Sequence, residues 1–65
     1  MTTTANFTSE VFAYIENNYN KNLLRRVKSK KNNEVVDRLL ADSLQKEYEV
    51  SKTANKIIAM LRLNP

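Results

Sequence analysis

The chain contains no cysteine and no histidine among its 65 residues. Disulfide bonds are therefore excluded, and a zinc site of the usual kind would lack both of its preferred ligand types. The commonest general base and the strongest thiol nucleophile are missing as well. We therefore expect a binding protein rather than an enzyme, and we expect it to use no metal or other cofactor.

Glycine is also absent, and the one proline is the last residue. Phosphate-cradling loops and dinucleotide fingerprints need glycine, so neither motif is present. Asparagine is the next most tolerant residue at positive φ, so it is expected wherever the chain reverses through that conformation. The asparagine clusters at 17–22 and 32–33 are therefore the predicted helix boundaries. Codon usage in an AT-rich genome would also enrich asparagine and lysine, which leaves each boundary uncertain by several residues.

Long apolar runs are lacking. The longest is Ile57–Leu61, far below the roughly 20 residues that span a bilayer. Residues 1–10 have neither the basic segment nor the apolar segment of a signal peptide. The sequence therefore predicts a cytoplasmic protein that does not associate with a membrane.

The chain is too short to build a large core. A domain of this length hides only about 60% of its extended surface on folding, and such a core supplies about 3–5 kcal/mol. Natural domains of this size usually add disulfides, a metal or a partner. Because this chain lacks the residues for the first two, we expect a homo-oligomer or a complex with a larger protein.

The first helix has a clear start signal. Residues 1–7 are polar overall and are expected to be frayed, ahead of one helical domain over 8–65. Thr8 is the predicted N-cap, with Phe7 and Phe12 forming a hydrophobic staple across it. This helix is expected to continue to about residue 18.

The middle of the chain allows two readings. An apolar stripe at helical spacing runs through Val11, Phe12, Ile15, Tyr19, Leu23 and Val27. One long helix would accommodate this stripe. We favour a break at 20–22 followed by a short basic helix, because asparagine is a poor helix former.

Two further helices are predicted in the second half. Asn33 is the N-cap of the first, which ends near Glu49 and carries the stripe Val35, Val36, Leu39, Leu40, Leu44 and Tyr48. Ser51 is the N-cap of the second, which is stopped by residues 64–65 and has the inner face Ala54, Ile57, Ile58 and Leu61. No stretch alternates as a strand would. The predicted fold class is all-α, with three or four short helices around one small core.

The net charge of +4 is unevenly distributed. Residues 21–31 carry six bases and no acid, 34–49 carry a local charge of −3, and 50–65 carry +3 without an acid. Such basic stretches are typical of nucleic-acid binding, because each neutralised phosphate releases condensed counterions. A solvated surface that pairs with the acidic helix is the ordinary alternative, but the segregation of charge favours a binding surface.

The segment Leu44–Leu61, LQKEYEVSKTANKIIAML, resembles the helix-turn-helix of bacterial and phage repressors. There a short turn ending in Val-Ser leads into a recognition helix, and Val50 and Ser51 are the matching pair. The resemblance implies that the start of the last helix contacts base edges in the major groove. The implied groove-facing residues are Lys52, Thr53, Asn55 and Lys56, whose side chains can bond to adenine or guanine edges.

The chain departs from that motif at three positions. Glu49 stands where the turn usually has glycine, and Gln45 stands where a small residue is packed four positions earlier. Asn55 stands where an aliphatic residue is expected five positions after Val50. A slight rotation of the helix would let Ala54 and Ile58 share that last role.

Two functions from different classes remain open. The first is a small transcriptional regulator, expected to be dimeric, that binds duplex DNA. Its candidate contacts are Arg25, Arg26, Lys28, Lys30, Lys31, Lys52, Thr53, Asn55 and Lys56. The second is an inhibitor or adaptor of the kind that phages and mobile elements make, docking on a larger host protein. Joint exposure of Tyr14, Tyr19 and Leu24 as an apolar patch would favour it.

Overall fold

The computed structural model describes residues 4–63, which form four α-helices. These are α1 (Thr4–Asn18), α2 (Lys21–Val27), α3 (Asn33–Gln45) and α4 (Val50–Met60). No strand occurs in this range, which confirms the predicted all-α class with its short helices. No helix in residues 4–63 is long and apolar enough to cross a bilayer.

Helix α1 is the centre of the packing, since it contacts each of the other three helices. It contributes three buried side chains spaced four residues apart, one per turn, so that they line a single face. The core consists of Phe7, Val11, Ile15, Leu23, Val27, Val36, Leu40, Ala54, Ile57, Ile58 and Leu63. The four helices therefore share one apolar interior.

Helix α1 begins earlier than the sequence suggested. It starts at Thr4, so Thr8 lies within the helix and is not its N-cap. The reason is Phe7, which extends the buried stripe by one turn toward the N-terminus and is only 5% exposed. The prediction of a frayed segment is therefore wrong for 4–7, and residues 1–3 lie outside the described residues.

The predicted break between α1 and α2 is confirmed. Helix α1 ends at Asn18, and Asn20 is the N-cap of α2 with an extended backbone. Its side-chain Oδ1 accepts a hydrogen bond from the amide of Leu23 at 2.8 Å, which satisfies one of the free donors of the new helix. Leu23 and Val27 can then pack on α1 from a separate helix.

The connection from α2 to α3 is a turn fastened by asparagine. Asn32 donates from Nδ2 to the carbonyl oxygen of Arg26 at 2.9 Å. Asn32 is also the N-cap of α3, one residue before the predicted Asn33, and its side chain makes no capping bond. The side chain of Asn32 therefore closes the preceding turn and leaves the start of α3 uncapped.

Helix α3 ends at Gln45, four residues before the predicted end at Glu49. The backbone of Glu47 has φ 57°, and its amide bonds to the carbonyl of Leu44 while the amide of Tyr48 bonds to that of Ser43. This pair of bonds is a Schellman motif, which normally has glycine at the left-handed position. Glu49 has φ −68° and ψ 156°, so it is extended and is not the strained residue of the turn.

Helix α4 runs from Val50 to Met60, so the prediction of Ser51 as its N-cap is wrong by two residues. Glu49 is the N-cap, and it makes no side-chain capping bond. The helix ends in a second Schellman motif, with Arg62 at φ 55° and the amide of Leu63 bonded to the carbonyl of Ile58. Leu63 folds back into the core. Residues 64–65, predicted to stop this helix, lie outside the described residues.

The prediction that asparagine supplies the left-handed turns is wrong. In residues 4–63, Glu47 and Arg62 are the residues with positive φ. Each is the left-handed residue of a Schellman motif, and the residue after Arg62, Leu63, is buried in the core. The chain thus accepts a local cost of about 1–2 kcal/mol at each position.

Candidate nucleic-acid interface

The basic connector, defined here as Arg25, Arg26, Lys28, Lys30 and Lys31, is fully displayed to solvent. All five side chains are exposed, because α2 turns Leu23 and Val27 inward and leaves its basic residues outside. None of the five forms an ion pair within residues 4–63. The ammonium of Lys28 lies 5.7 Å from the ring centroid of Phe12 on α1. The connector therefore carries unneutralised charge, as the sequence predicted.

Helix α4 does not present all four of the residues that the resemblance implied. Lys52 and Asn55 are exposed and Lys56 is half-buried, but Thr53 is completely buried. Thr53 shares the inner face of α4 with Ala54 and Ile57, and its hydroxyl donates to the carbonyl of Glu49 at 3.0 Å. The prediction of Thr53 as a groove-facing residue is therefore wrong.

Asn55 is exposed but already has a partner. The phenolic hydroxyl of Tyr19 donates a hydrogen bond to Asn55 Oδ1 and so joins the end of α1 to the middle of α4. Reading adenine requires both Oδ1 as an acceptor and Nδ2 as a donor. Asn55 can meet that need only by sharing Oδ1 or by releasing Tyr19.

A group of lysines that sequence reasoning had not assembled surrounds one aromatic ring. The ammonium groups of Lys52, Lys56 and Lys46 lie 4.2, 5.3 and 6.0 Å from the ring centroid of Tyr48. We call these three lysines and Tyr48 the Tyr48 cluster. The negative face of an aromatic ring attracts cations at such distances. Tyr48, in the turn between α3 and α4, thus has lysine ammonium groups around its ring from the end of α3 and from α4.

Asp42, on α3, pairs with two lysines of the same cluster. Its Oδ2 lies 3.3 Å from Nζ of Lys46 and 4.0 Å from Nζ of Lys56. Asp42 is the carboxylate that pairs with these ammonium groups in the described residues, while Glu47 and Glu49, the chain neighbours of Tyr48, form no ion pair with them. Lys46 and Tyr48 are the residues that sequence reasoning missed. The available signal was the spacing of Asp42 and Lys46, which sets them one helical turn apart.

A groove of about 550 Å³ on another side of Tyr48 has the opposite charge. Its apolar lining comes from Phe7, Leu44 and Val50, with Tyr48 alongside. Its rim carries three glutamates, Glu10, Glu47 and Glu49. None of the three forms an ion pair within residues 4–63. We call this feature the acidic groove; Tyr48 borders both it and the lysines.

The chain matches no protein-family model, no curated protein and no solved structure to which it was compared. Within residues 4–63 no three acidic side chains lie close enough together to hold a metal ion. The candidate interface consequently rests on the geometry and charge of the chain's own residues.

Proposed function

We propose that this protein binds duplex DNA through a helix-turn-helix formed by α3 and α4. The observation that carries the proposal is the position of the left-handed residue, Glu47. It supports the resemblance to repressors in a register two residues earlier than the sequence suggested. In that register a small residue and a branched residue are buried where the motif packs such residues, and the left-handed turn position is held by a glutamate. The Val50–Ser51 pair then lies two residues beyond its place in the motif.

The shifted register fits the motif residue by residue. Glu47, with φ 57°, takes the turn position that usually has glycine. Ser43, four residues earlier, is the small packed residue and is completely buried. Thr53, five residues after Tyr48, takes the place of the buried aliphatic residue and is also completely buried. A β-branched threonine whose hydroxyl is bonded within its own helix fills that place as valine would.

The exposed charge supports DNA as the ligand. The five connector bases have no ion pair within the described residues, so a phosphate could replace water and counterions around them at little cost. The start of α4 presents Lys52 and Asn55, whose side chains can donate to base edges or to the backbone. A repressor-like protein of this kind acts as a dimer on two half-sites, and we include that oligomeric state in the proposal.

Fluorescence anisotropy of a labelled random-sequence duplex tests the proposal. A protein making 6–10 phosphate contacts loses roughly 10³–10⁵ in affinity between about 50 and about 200 mM salt. We expect tight binding at the lower salt and a loss of that size. Absence of binding at about 50 mM would contradict the proposal.

Charge reversal on α4 provides the matched variants. Lys52→Glu is expected to abolish binding with unchanged helicity, because Lys52 is exposed and forms no ion pair within residues 4–63. Arg62→Glu, beyond the end of α4 that is opposite Lys52, changes the net charge equally. If Lys52→Glu bound DNA as tightly as the control variant and the parent do, α4 would not be the recognition helix.

The acidic groove favours a second function, docking on a host protein. The apolar patch first expected for that role is not formed, since Tyr14, Tyr19 and Leu24 are half-buried against the core. The groove offers instead an apolar floor with three unpaired carboxylates. Such a surface suits a basic segment with an apolar anchor. Retention of a host protein by the parent but not by Val50→Asp would support this function.

A further inference from the structure

We infer that the Tyr48 cluster is an anchoring site for one phosphate group, in which Lys46, Lys52 and Lys56 act together. The inference rests on the proposed function for the source of that phosphate, the DNA backbone. It reassigns Lys52 and Lys56 from base edges to the backbone and adds Lys46, which lies outside the recognition helix.

The first argument is convergence. Three ammonium groups from two helices lie within 6.0 Å of the same ring centroid, although like charges repel one another. Lys46 and Lys56 also share one carboxylate oxygen, Asp42 Oδ2, and so lie near each other. A single carboxylate does not neutralise three cations. An added dianion or diester phosphate would remove the remaining repulsion.

The second argument is preorganisation. A free lysine loses a large rotamer entropy when its ammonium group is fixed on a ligand. Here all three ammonium groups lie within 6.0 Å of the Tyr48 ring centroid, and Asp42 pairs with those of Lys46 and Lys56, before any ligand arrives. Binding therefore has less ordering to supply than at the basic connector, where only Lys28 has an aromatic neighbour in the described residues.

The third argument concerns what the arrangement can recognise. Each lysine ammonium is a compact point charge with three donors and no fixed fork. Three of them arranged around a ring can surround the tetrahedral oxygens of a phosphate, but they lack the planar bidentate geometry that distinguishes base edges. The cluster is thus suited to fix the position of α4 on the duplex without reading its sequence.

The DNA-independent test is titration of the protein with inorganic phosphate at constant ionic strength, followed by NMR. We expect saturable shifts at the Tyr48 ring and at the side-chain methylenes of the three lysines. In Tyr48→Leu, which keeps apolar bulk but removes the ring face, these lysine shifts should disappear. In Tyr48→Phe they should remain, because the phenol hydroxyl makes no hydrogen bond within residues 4–63. Shifts spread evenly over all lysines would overturn the inference.

The salt dependence of DNA binding distinguishes a failure of this inference from a failure of the proposed function. Lys46→Gln should lower the slope of log K against log salt by up to about 0.9, the value for complete loss of the one phosphate contact, and equally on every duplex sequence. Arg62→Gln, with the same loss of charge beyond the C-terminal end of α4, should leave the slope unchanged. A parent that binds steeply while Lys46→Gln matches Arg62→Gln would overturn the inference and leave the proposed function standing. Saturable phosphate shifts in a parent that binds no DNA would overturn the proposed function and support the phosphate site.

Discussion

The basic connector and the Tyr48 cluster present the same residue types in two different ways. The connector holds five bases on one short helix and its following turn, all exposed and without an ion pair in the described residues. The Tyr48 cluster holds three lysines from two helices around one ring and one carboxylate. The proposed function assigns a diffuse, salt-sensitive attraction for DNA to the connector and the positioning of α4 on the duplex to the cluster.

The largest effect should come from the connector. Replacing Arg25, Arg26 and Lys28 together by glutamine is expected to lower the salt slope of DNA binding by roughly 2.7, since each phosphate contact contributes about 0.9. Affinity at low salt should fall by orders of magnitude. Anisotropy titrations at several salt concentrations measure both quantities. Circular dichroism should show unchanged helicity, because none of the three side chains is buried.

The next prediction concerns how tightly the junction of α3 and α4 is packed around Ser43. Ser43→Leu forces a large side chain into a completely buried site and is expected to destabilise the fold by about 1–3 kcal/mol. Ser43→Ala is the matched control. The Ser43 hydroxyl is buried without a hydrogen-bond partner, so its removal should be neutral or slightly stabilising. Urea unfolding compares the two variants, and a Ser43→Leu protein as stable as the parent would mean that the junction is not tightly packed.

A smaller effect should follow from Glu47→Gly. Glycine removes a left-handed penalty of about 1–2 kcal/mol but costs about 0.5–1 kcal/mol more in chain entropy, so the net gain is expected to be up to about 1.5 kcal/mol. Gln45→Gly, two residues earlier and still helical, should instead destabilise by about 1 kcal/mol. Opposite shifts in thermal midpoint would confirm the turn. Two shifts in the same direction would contradict the assignment of Glu47 as the left-handed residue.

The smallest effect concerns the bond between the two helices that flank the interface. Tyr19→Phe removes the donor to Asn55 Oδ1 and should cost only about 0.5 kcal/mol of stability, because this hydrogen bond is exposed. If Asn55 reads adenine, folded Tyr19→Phe protein should bind a specific DNA site at least as tightly as the folded parent does, because Asn55 Oδ1 is then free to take part in the contact with the base. A loss of specific binding larger than that of Asn55→Ala would show that Tyr19 itself contacts DNA.

The sequence predicted those features that depend on local chemistry. Apolar spacing was enough for the all-α class, and the asparagine-rich segment correctly marked the break that Asn20 caps. The exposure of the connector also followed from its pattern. Each of these properties is determined by residues within one or two helical turns of one another.

The features that were missed depend on distant neighbours. Helix α1 begins at Thr4 because Phe7 is buried in the core, and the N-cap pattern of the sequence gives no sign of that burial. Thr53 is buried because Ala54 and Ile57 set the inner face of α4, although threonine is equally suited to a surface. The Tyr48 cluster combines residues from two helices whose approach is fixed by the left-handed Glu47. A glycine at position 47 would have marked the left-handed turn, whereas a glutamate there gives no such signal.

The most direct test of the account is an NMR map of the protein's backbone and side chains with and without duplex DNA. We predict that the largest changes fall on the basic connector, on Lys46, and on the exposed side of α4 from Lys52 to Lys56. The acidic groove at Glu10, with its unpaired carboxylates, should stay unchanged. Changes confined to that groove, or no changes at low salt, would contradict a helix-turn-helix that binds DNA and would leave docking on a host protein as the supported function.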